Sequence, residues 1–128
     1  LAADGIGHVL AQLGPTIGAC GFSSLAATPA WLATDTARAF TRAYIKTRDY
    51  MNDASASEIA KAEKPLFPDI DLEVLTDCIA TYQAMGCWTR HIDITQEGYD
   101  AMLDIFEYDG KLPHRYSYHQ VCAPPPAI

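Results

Sequence analysis

The segment that most restricts the fold is Thr16-Ile17-Gly18-Ala19-Cys20-Gly21-Phe22-Ser23-Ser24-Leu25-Ala26-Ala27-Thr28. It is apolar, small and punctuated by glycine, with none of the charged residues that mark an amphipathic helix. That pattern predicts a β-strand over about 16–28, buried on both faces, with glycines where another backbone or a ligand comes close. After Thr28-Pro29 the periodicity is helical. A solitary strand leaves both of its edges unsatisfied. The chain is therefore expected to be mostly α with one or two strands, an incomplete lobe whose strand pairs with a second copy or with a sheet lying elsewhere.

The helical part has its own punctuation. Ile6 to Leu13 reads as a short helix ended by Gly14-Pro15, because proline disfavours helical geometry in the residue before it. Pro29 to Ala33 forms a short turn with proline in the first helical position. Asp35 is the expected cap of a helix to about Met51, with Ala37, Phe40, Tyr44 and Met51 near one face. Arg38, Arg42 and Lys46 form a stripe at i, i+4 spacing and read as a solvated face. Ser55 to Lys64 is an alanine-rich helix, followed by a turn over Pro65 to Pro68. Asp69 or Asp71 caps a helix carrying Leu72, Leu75, Ile79 and Tyr82 on one side and ending at Gly86. Thr95 caps the last long helix, with Glu97 near the positive end of the dipole. Its apolar positions are Tyr99, Met102, Leu103 and Phe106, and Gly110 supplies a left-handed stop. Residues 123–128, with Pro124, Pro125 and Pro126, read as an extended, poorly ordered tail.

Size and charge narrow the function. The 128 residues suffice for one core, and 49% hydrophobic against 20% charged residues is the balance of a globular chain. Nine Lys+Arg against sixteen Asp+Glu give a formal charge of -7, which repels phosphate backbones and anionic lipid surfaces; nucleic acid is not an expected partner. No run reaches the ~18 apolar residues of a membrane span. The start, Leu1-Ala2-Ala3-Asp4, lacks the basic and apolar regions of a signal peptide, and it does not begin with Met. Cys20, Cys78, Cys87 and Cys122 show neither a CxxC pair nor metal-ligand spacing, and Cys78 falls on the apolar side of a helix, so a small buried hydrophobe is its expected role.

Catalytic signatures are absent from the sequence. It contains no GxSxG elbow, no GxxxxGK[ST] phosphate cradle and no HExxH. His114 and His119 flank Arg115-Tyr116-Ser117-Tyr118 in a loop and read as surface or capping residues; His8 and His91 are isolated. Asp69, Asp71 and Glu73 cluster where a helix N-terminus attracts carboxylates. The reading is of a non-enzyme with no catalytic residue, metal or cofactor.

From Phe22 to Tyr118 the chain resembles the C-terminal part of the nitrate/sulfonate/taurine/thiamine-pyrimidine-precursor group of ABC-transporter substrate-binding proteins. The resemblance runs in order. The glycine-rich stretch leads into TPAWLATDTARAFTRAYIKTRDYM with its R-x-F-x-x-A core at Arg38, Phe40 and Ala43. An Ala/Ile/Glu helix around Ser57 to Ala60 follows, then FPDIDLEVL (Phe67 to Leu75), YQAMGCW (Tyr82 to Trp88) and ITQEGYDAMLDIFEYDGKLPHRYSYHQV (Ile94 to Val121).

That resemblance implies the type II periplasmic-binding-protein fold, an α/β architecture of two lobes with ligand held in the cleft. It implies that residues 1–122 are the C-terminal portion of such a protein, with the remainder of the same polypeptide and an ABC permease as partners. It further implies a small-molecule ligand of the nitrate, sulfonate or thiamine-pyrimidine-precursor class and a periplasmic or cell-envelope location. Ligand contact would come from Gly21, Phe22 and Ser23: close backbone approach at the glycine, stacking on the phenylalanine, a hydrogen bond from the serine. Two other readings compete. One is a helical homodimeric interaction module without ligand, its strands swapped across a twofold axis. The other is a relative of a thiamine-pyrimidine synthesis enzyme, whose cysteine-rich iron-binding motif has no counterpart among the four dispersed cysteines.

Overall fold

The computed structural model describes residues 4–18, 20–21 and 23–128. In chain order it contains α1 (Gly14–Ile17), α2 (Pro29–Leu32), α3 (Asp35–Asp53), α4 (Ala56–Glu63), a 3-10 turn (Lys64–Leu66), α5 (Leu72–Ala84), α6 (Gln96–Tyr108) and α7 (Tyr118–Val121). Among the described residues there is no β-strand.

Two compact units divide the chain. One comprises Leu1–Thr16 and Ile45–His91, the other Ile17–Tyr44 and Ile92–Ile128. The boundary falls within α3.

The first unit is built on α4 and α5. Ser55 accepts a hydrogen bond from the Glu58 N–H at 3.3 Å, and the Glu58 carboxylate accepts from the Ser55 N–H at 3.0 Å, a reciprocal cap that satisfies helix-end donors. Asp71 begins α5 by accepting from the Glu73 N–H at 2.8 Å. Gly86 ends it at φ +68°, where a Cβ would be strained. Between the helices, the Lys64 ammonium donates to the carbonyls of Phe67, Pro68 and Ile70 and closes that turn. Ile59 and Ala60 of α4 pack on Leu75 and Ile79 of α5, with Met51, Ala54, Ala56 and Trp88 around them. Gln83 ties α5 to the end of α3 by donating to the carbonyls of Met51 (2.9 Å) and Ala54 (3.0 Å). Arg90 bridges Asp49 and Asp53 from the loop.

In the second unit Thr95 caps α6, accepting from the Gly98 N–H at 3.1 Å. Tyr99 and Leu103 are its buried apolar side chains. Past the C-terminus Gly110 takes φ +69°, and Lys111 N–H returns to the Phe106 carbonyl at 2.9 Å, which closes the helix end. Ala37 and Thr41 are the buried residues of α3.

Several local expectations are corrected. Residues 6–13 form no helix; the short helical turn begins at Gly14 instead. Eight residues lie below the length at which a helix holds itself, and Ile6, Val9, Leu10 and Leu13 are exposed, so burial does not stabilise one here. The strand over 16–28 is not formed by the described residues of that stretch. Thr16 and Ile17 belong to α1, Gly18 takes φ +80°, and residues 24–28 carry no regular structure. A strand exists only within a ladder, and no second strand is present among the described residues to provide one. The cap of α3 is Thr34, whose hydroxyl accepts from the Ala37 N–H at 3.1 Å, while Asp35 sits in the first turn. Cys78 is exposed, because Leu75 and Ile79 define the inward face of α5 and Cys78 lies well to its side.

Candidate functional site

Of the three residues the sequence assigns to ligand contact, Gly21 has the clearest environment. Its N–H donates to the Gly98 carbonyl at 2.9 Å. A Cβ on Gly21 would lie 3.2 Å from Ile94 Cγ2 and 3.5 Å from the Gly98 oxygen. Gly98 is small for the reciprocal reason: its Cβ would meet Thr95 Oγ1 at 3.2 Å and the Gly21 nitrogen at 3.5 Å. The close approach expected of this glycine is thus made to the first turn of α6. Ser23 is exposed, in a bend, and makes no hydrogen bond among the described residues. Phe22 lies outside the described residues.

Beside α6 the surface carries an open depression of about 630 Å³, lined by residues that include Asp100, Leu103, Arg115, Tyr116 and Tyr118. The segment after α6 is strapped down along it. The Tyr99 hydroxyl donates to the Tyr116 carbonyl at 2.9 Å, and the Tyr118 hydroxyl donates to the Ile94 carbonyl at 2.5 Å. The two tyrosine rings meet edge to face at 5.8 Å. At the start of α7 the Gln120 side-chain oxygen accepts from the Ser117 N–H at 2.9 Å, and the Gln120 N–H returns to the Ser117 carbonyl at 3.0 Å.

Arg115 decides what this depression can hold. Its guanidinium donates to the Asp104 carboxylate and to the Asp100 carbonyl (3.2 Å), and it pairs with Glu107 at 3.2 Å. The Asp104 hydrogen bond raises its pKa above the usual value, against the opposing effect of desolvation. Three protein acceptors, two of them carboxylates, take part of a fork of five N–H donors and offset its charge, which weakens its pull on an incoming anion.

A second depression of about 410 Å³ is lined by Asp93, Tyr118, His119, Cys122, Pro124 and Pro125. Cys122 brings a thiol there, but burial pushes its pKa up, away from the thiolate that a nucleophile or metal ligand requires. Among the described residues no three His, Cys, Asp or Glu side chains converge to hold a metal ion, and no helix is long and apolar enough to cross a membrane.

The sequence did not identify Gly98, Tyr99, Arg115 or Tyr118 as positioning groups. A glycine three residues after the capping Thr95 was the available signal for the first of them. Nothing local marks the others, since their partners lie 11 to 24 residues away in the chain.

Compared with known proteins, the chain is similar to "Putative binding protein YtlA" of Bacillus subtilis (strain 168), with 28% identity over 119 residues. The alignment takes in 91% of this chain and 36% of that protein, so the chain spans about a third of the length of the relative it matches. No family model matches the chain, and no solved structure matches it significantly.

Proposed function

We propose that this chain is the C-terminal portion of the solute-binding component of an ABC importer of type II periplasmic-binding-protein fold. The full protein captures a small molecule of the nitrate, sulfonate or thiamine-pyrimidine-precursor class in the periplasm or cell envelope. It then delivers that molecule to a membrane permease. The observation that carries the reading is the similarity of nearly the whole chain to about a third of a binding protein. The ordered segments from Phe22 to Val121 support the narrower class. The exposed apolar residues of the first unit support the view that more polypeptide belongs here.

Within this reading the described part of the chain contributes scaffold more than ligand chemistry. Gly21 is committed to α6, and Arg115 to three acceptors. The groups that fix the ligand would then lie mainly in the rest of the protein, with Phe22 and Ser23 as this chain's contribution.

Thermal unfolding of the complete gene product, with and without nitrate, taurine, longer alkanesulfonates or a thiamine-pyrimidine precursor, tests the proposal. A ligand at about one hundred times its Kd stabilises the native state by ~2.7 kcal/mol, which is several degrees of Tm. One class should raise Tm by that amount. A well-folded protein that responds to none of them would overturn the transport reading.

A further inference from the structure

We propose that Tyr118 and Tyr99 are positioning residues for ligand capture: their hydroxyls fix the first turn of α6, and that turn fixes the loop carrying Gly21 and Ser23. The inference rests on the reading above, in which that loop meets the ligand.

The loop has little hold of its own. Residues 20–21 and 23–27 belong to no helix. Among the described residues, the bond from the Gly21 N–H to the Gly98 carbonyl, at 2.9 Å, is the one hydrogen bond that ties residues 20–27 to the rest of the chain. A second grip is steric. A Cβ on Gly21 would stand 3.2 Å from Ile94 Cγ2, so the loop backbone lies directly against the Ile94 side chain. Two residues therefore set where the loop sits, Ile94 before the capping Thr95 and Gly98 after it.

Both are held from the strap that follows α6. The Ile94 carbonyl accepts from the Tyr118 hydroxyl at 2.5 Å. Ile94 precedes the cap, so the helix's own ladder does not hold that carbonyl, and the phenol does. Tyr99, next to Gly98, donates its hydroxyl to the Tyr116 carbonyl at 2.9 Å. The two rings meet edge to face at 5.8 Å. A phenylalanine could supply such packing; only the hydroxyls can fix the two ends of the turn against sliding. Ser23, exposed two residues beyond Gly21, inherits that placement. A loop ordered before the ligand arrives spends less of the binding free energy on its own ordering.

Amide hydrogen exchange at single-residue resolution in the complete gene product is the test. Tyr118→Phe keeps the ring and deletes the bond to Ile94. It should speed exchange of the Gly21 amide about fivefold, the size of one lost hydrogen bond, and leave the Ile79 amide in the core of the first unit unchanged. Tyr99→Phe, which loses the bond to Tyr116, should act in the same direction and serves if the first variant fails to fold. Nitrate, taurine, longer alkanesulfonates and a thiamine-pyrimidine precursor are titrated on the same samples. A compound that raises Tm of the unaltered protein should bind Tyr118→Phe about fivefold more weakly. Wild-type exchange at Gly21 in both variants would overturn the inference. So would equal acceleration at Gly21 and Ile79, the mark of a merely structural tyrosine, and so would unchanged affinity for a compound that does bind. A Gly21 amide that responds in a protein none of the compounds stabilises refutes the transport reading and, with it, the loop's role in capture, while the path from tyrosine to loop stands.

Discussion

Replacing Ile59 by alanine tests the packing of the first unit most directly. Ile59 is 1% exposed and sits at the centre of the cluster formed with Ala60, Leu75 and Ile79, walled by Met51, Ala54, Ala56 and Trp88. The substitution removes three carbons, worth about 2.4 kcal/mol at ~0.8 kcal/mol per methylene. The helices that carry Ile59, Leu75 and Ile79 are pinned by Gln83 and by the Ser55–Glu58 cap, so the site collapses only in part, and the remaining cavity brings the total to about 3–4 kcal/mol. Ile59→Val removes one carbon and should cost ~1 kcal/mol. Leu10→Ala, at a position 97% exposed, should stay within about 0.5 kcal/mol in this chain. Urea unfolding followed by the fluorescence of Trp88, which packs on the cluster, reads all three. With m of ~1–3 kcal/mol/M, the midpoint for Ile59→Ala should fall by on the order of 1–4 M at unchanged m. An Ile59→Ala cost below that of Ile59→Val, or a Leu10→Ala cost equal to it, would show that α4 and α5 do not form the core described.

Three other outcomes follow from the geometry. Gly21→Val pushes side-chain atoms beyond a Cβ already 3.2 Å from Ile94 Cγ2, so overpacking should lower stability by about 1–3 kcal/mol in chemical unfolding; an unchanged midpoint would refute the Gly21–Gly98 contact. The hydrogen bond from the Ser55 hydroxyl, aided by the Ser55 N–H, holds the Glu58 carboxyl below the usual carboxylate range, and the Arg90 hydrogen bond does the same for Asp53. Because these folded-state values are depressed, their stabilisation is present above the unfolded-state pKa and disappears as pH falls through the folded one. Ser55→Ala should therefore cost ~1 kcal/mol through the lost cap at neutral pH and flatten the loss of stability on acidification, read as urea midpoints between pH 7 and pH 3; parallel curves for the two proteins would refute it. With an aromatic disulfide reagent at neutral pH, exposed Cys78 and Cys87 should react before half-buried Cys122, whose thiol is pushed up by burial; mass-mapped labelling in the reverse order would refute that placement.

Local chemistry was the readable part of this sequence. Asp71, Thr95, Gly86 and Gly110 act where their types predict, because a cap or a left-handed stop depends on a few neighbouring residues. Thr34 displaced Asp35 as the cap of α3 by one position, a choice between two adjacent residues both able to accept the hydrogen bond. Cys78 was misjudged because it is a small residue one helical step from Ile79, and a step of about 100° is enough to leave the buried face. The strap after α6 was invisible for another reason. Arg115, Tyr99 and Tyr118 reach partners set by tertiary approach, which no periodicity encodes.

The glycine-rich segment shows where composition stops discriminating. A small residue permits close approach, but it does not say whether the visitor is a ligand or another turn of the same chain. At Gly21 the visitor is the Gly98 carbonyl, and the space a Cβ would need is already taken by Ile94 and α6. Ser23, two residues on, is exposed and makes no hydrogen bond among the described residues. The two positions should therefore separate experimentally. Enlarging Gly21 disturbs folding of this chain before any ligand is considered, whereas Ser23→Ala leaves folding intact and can alter only what the exposed loop meets. A residue of the first kind positions the loop, and one of the second kind is free to touch a ligand.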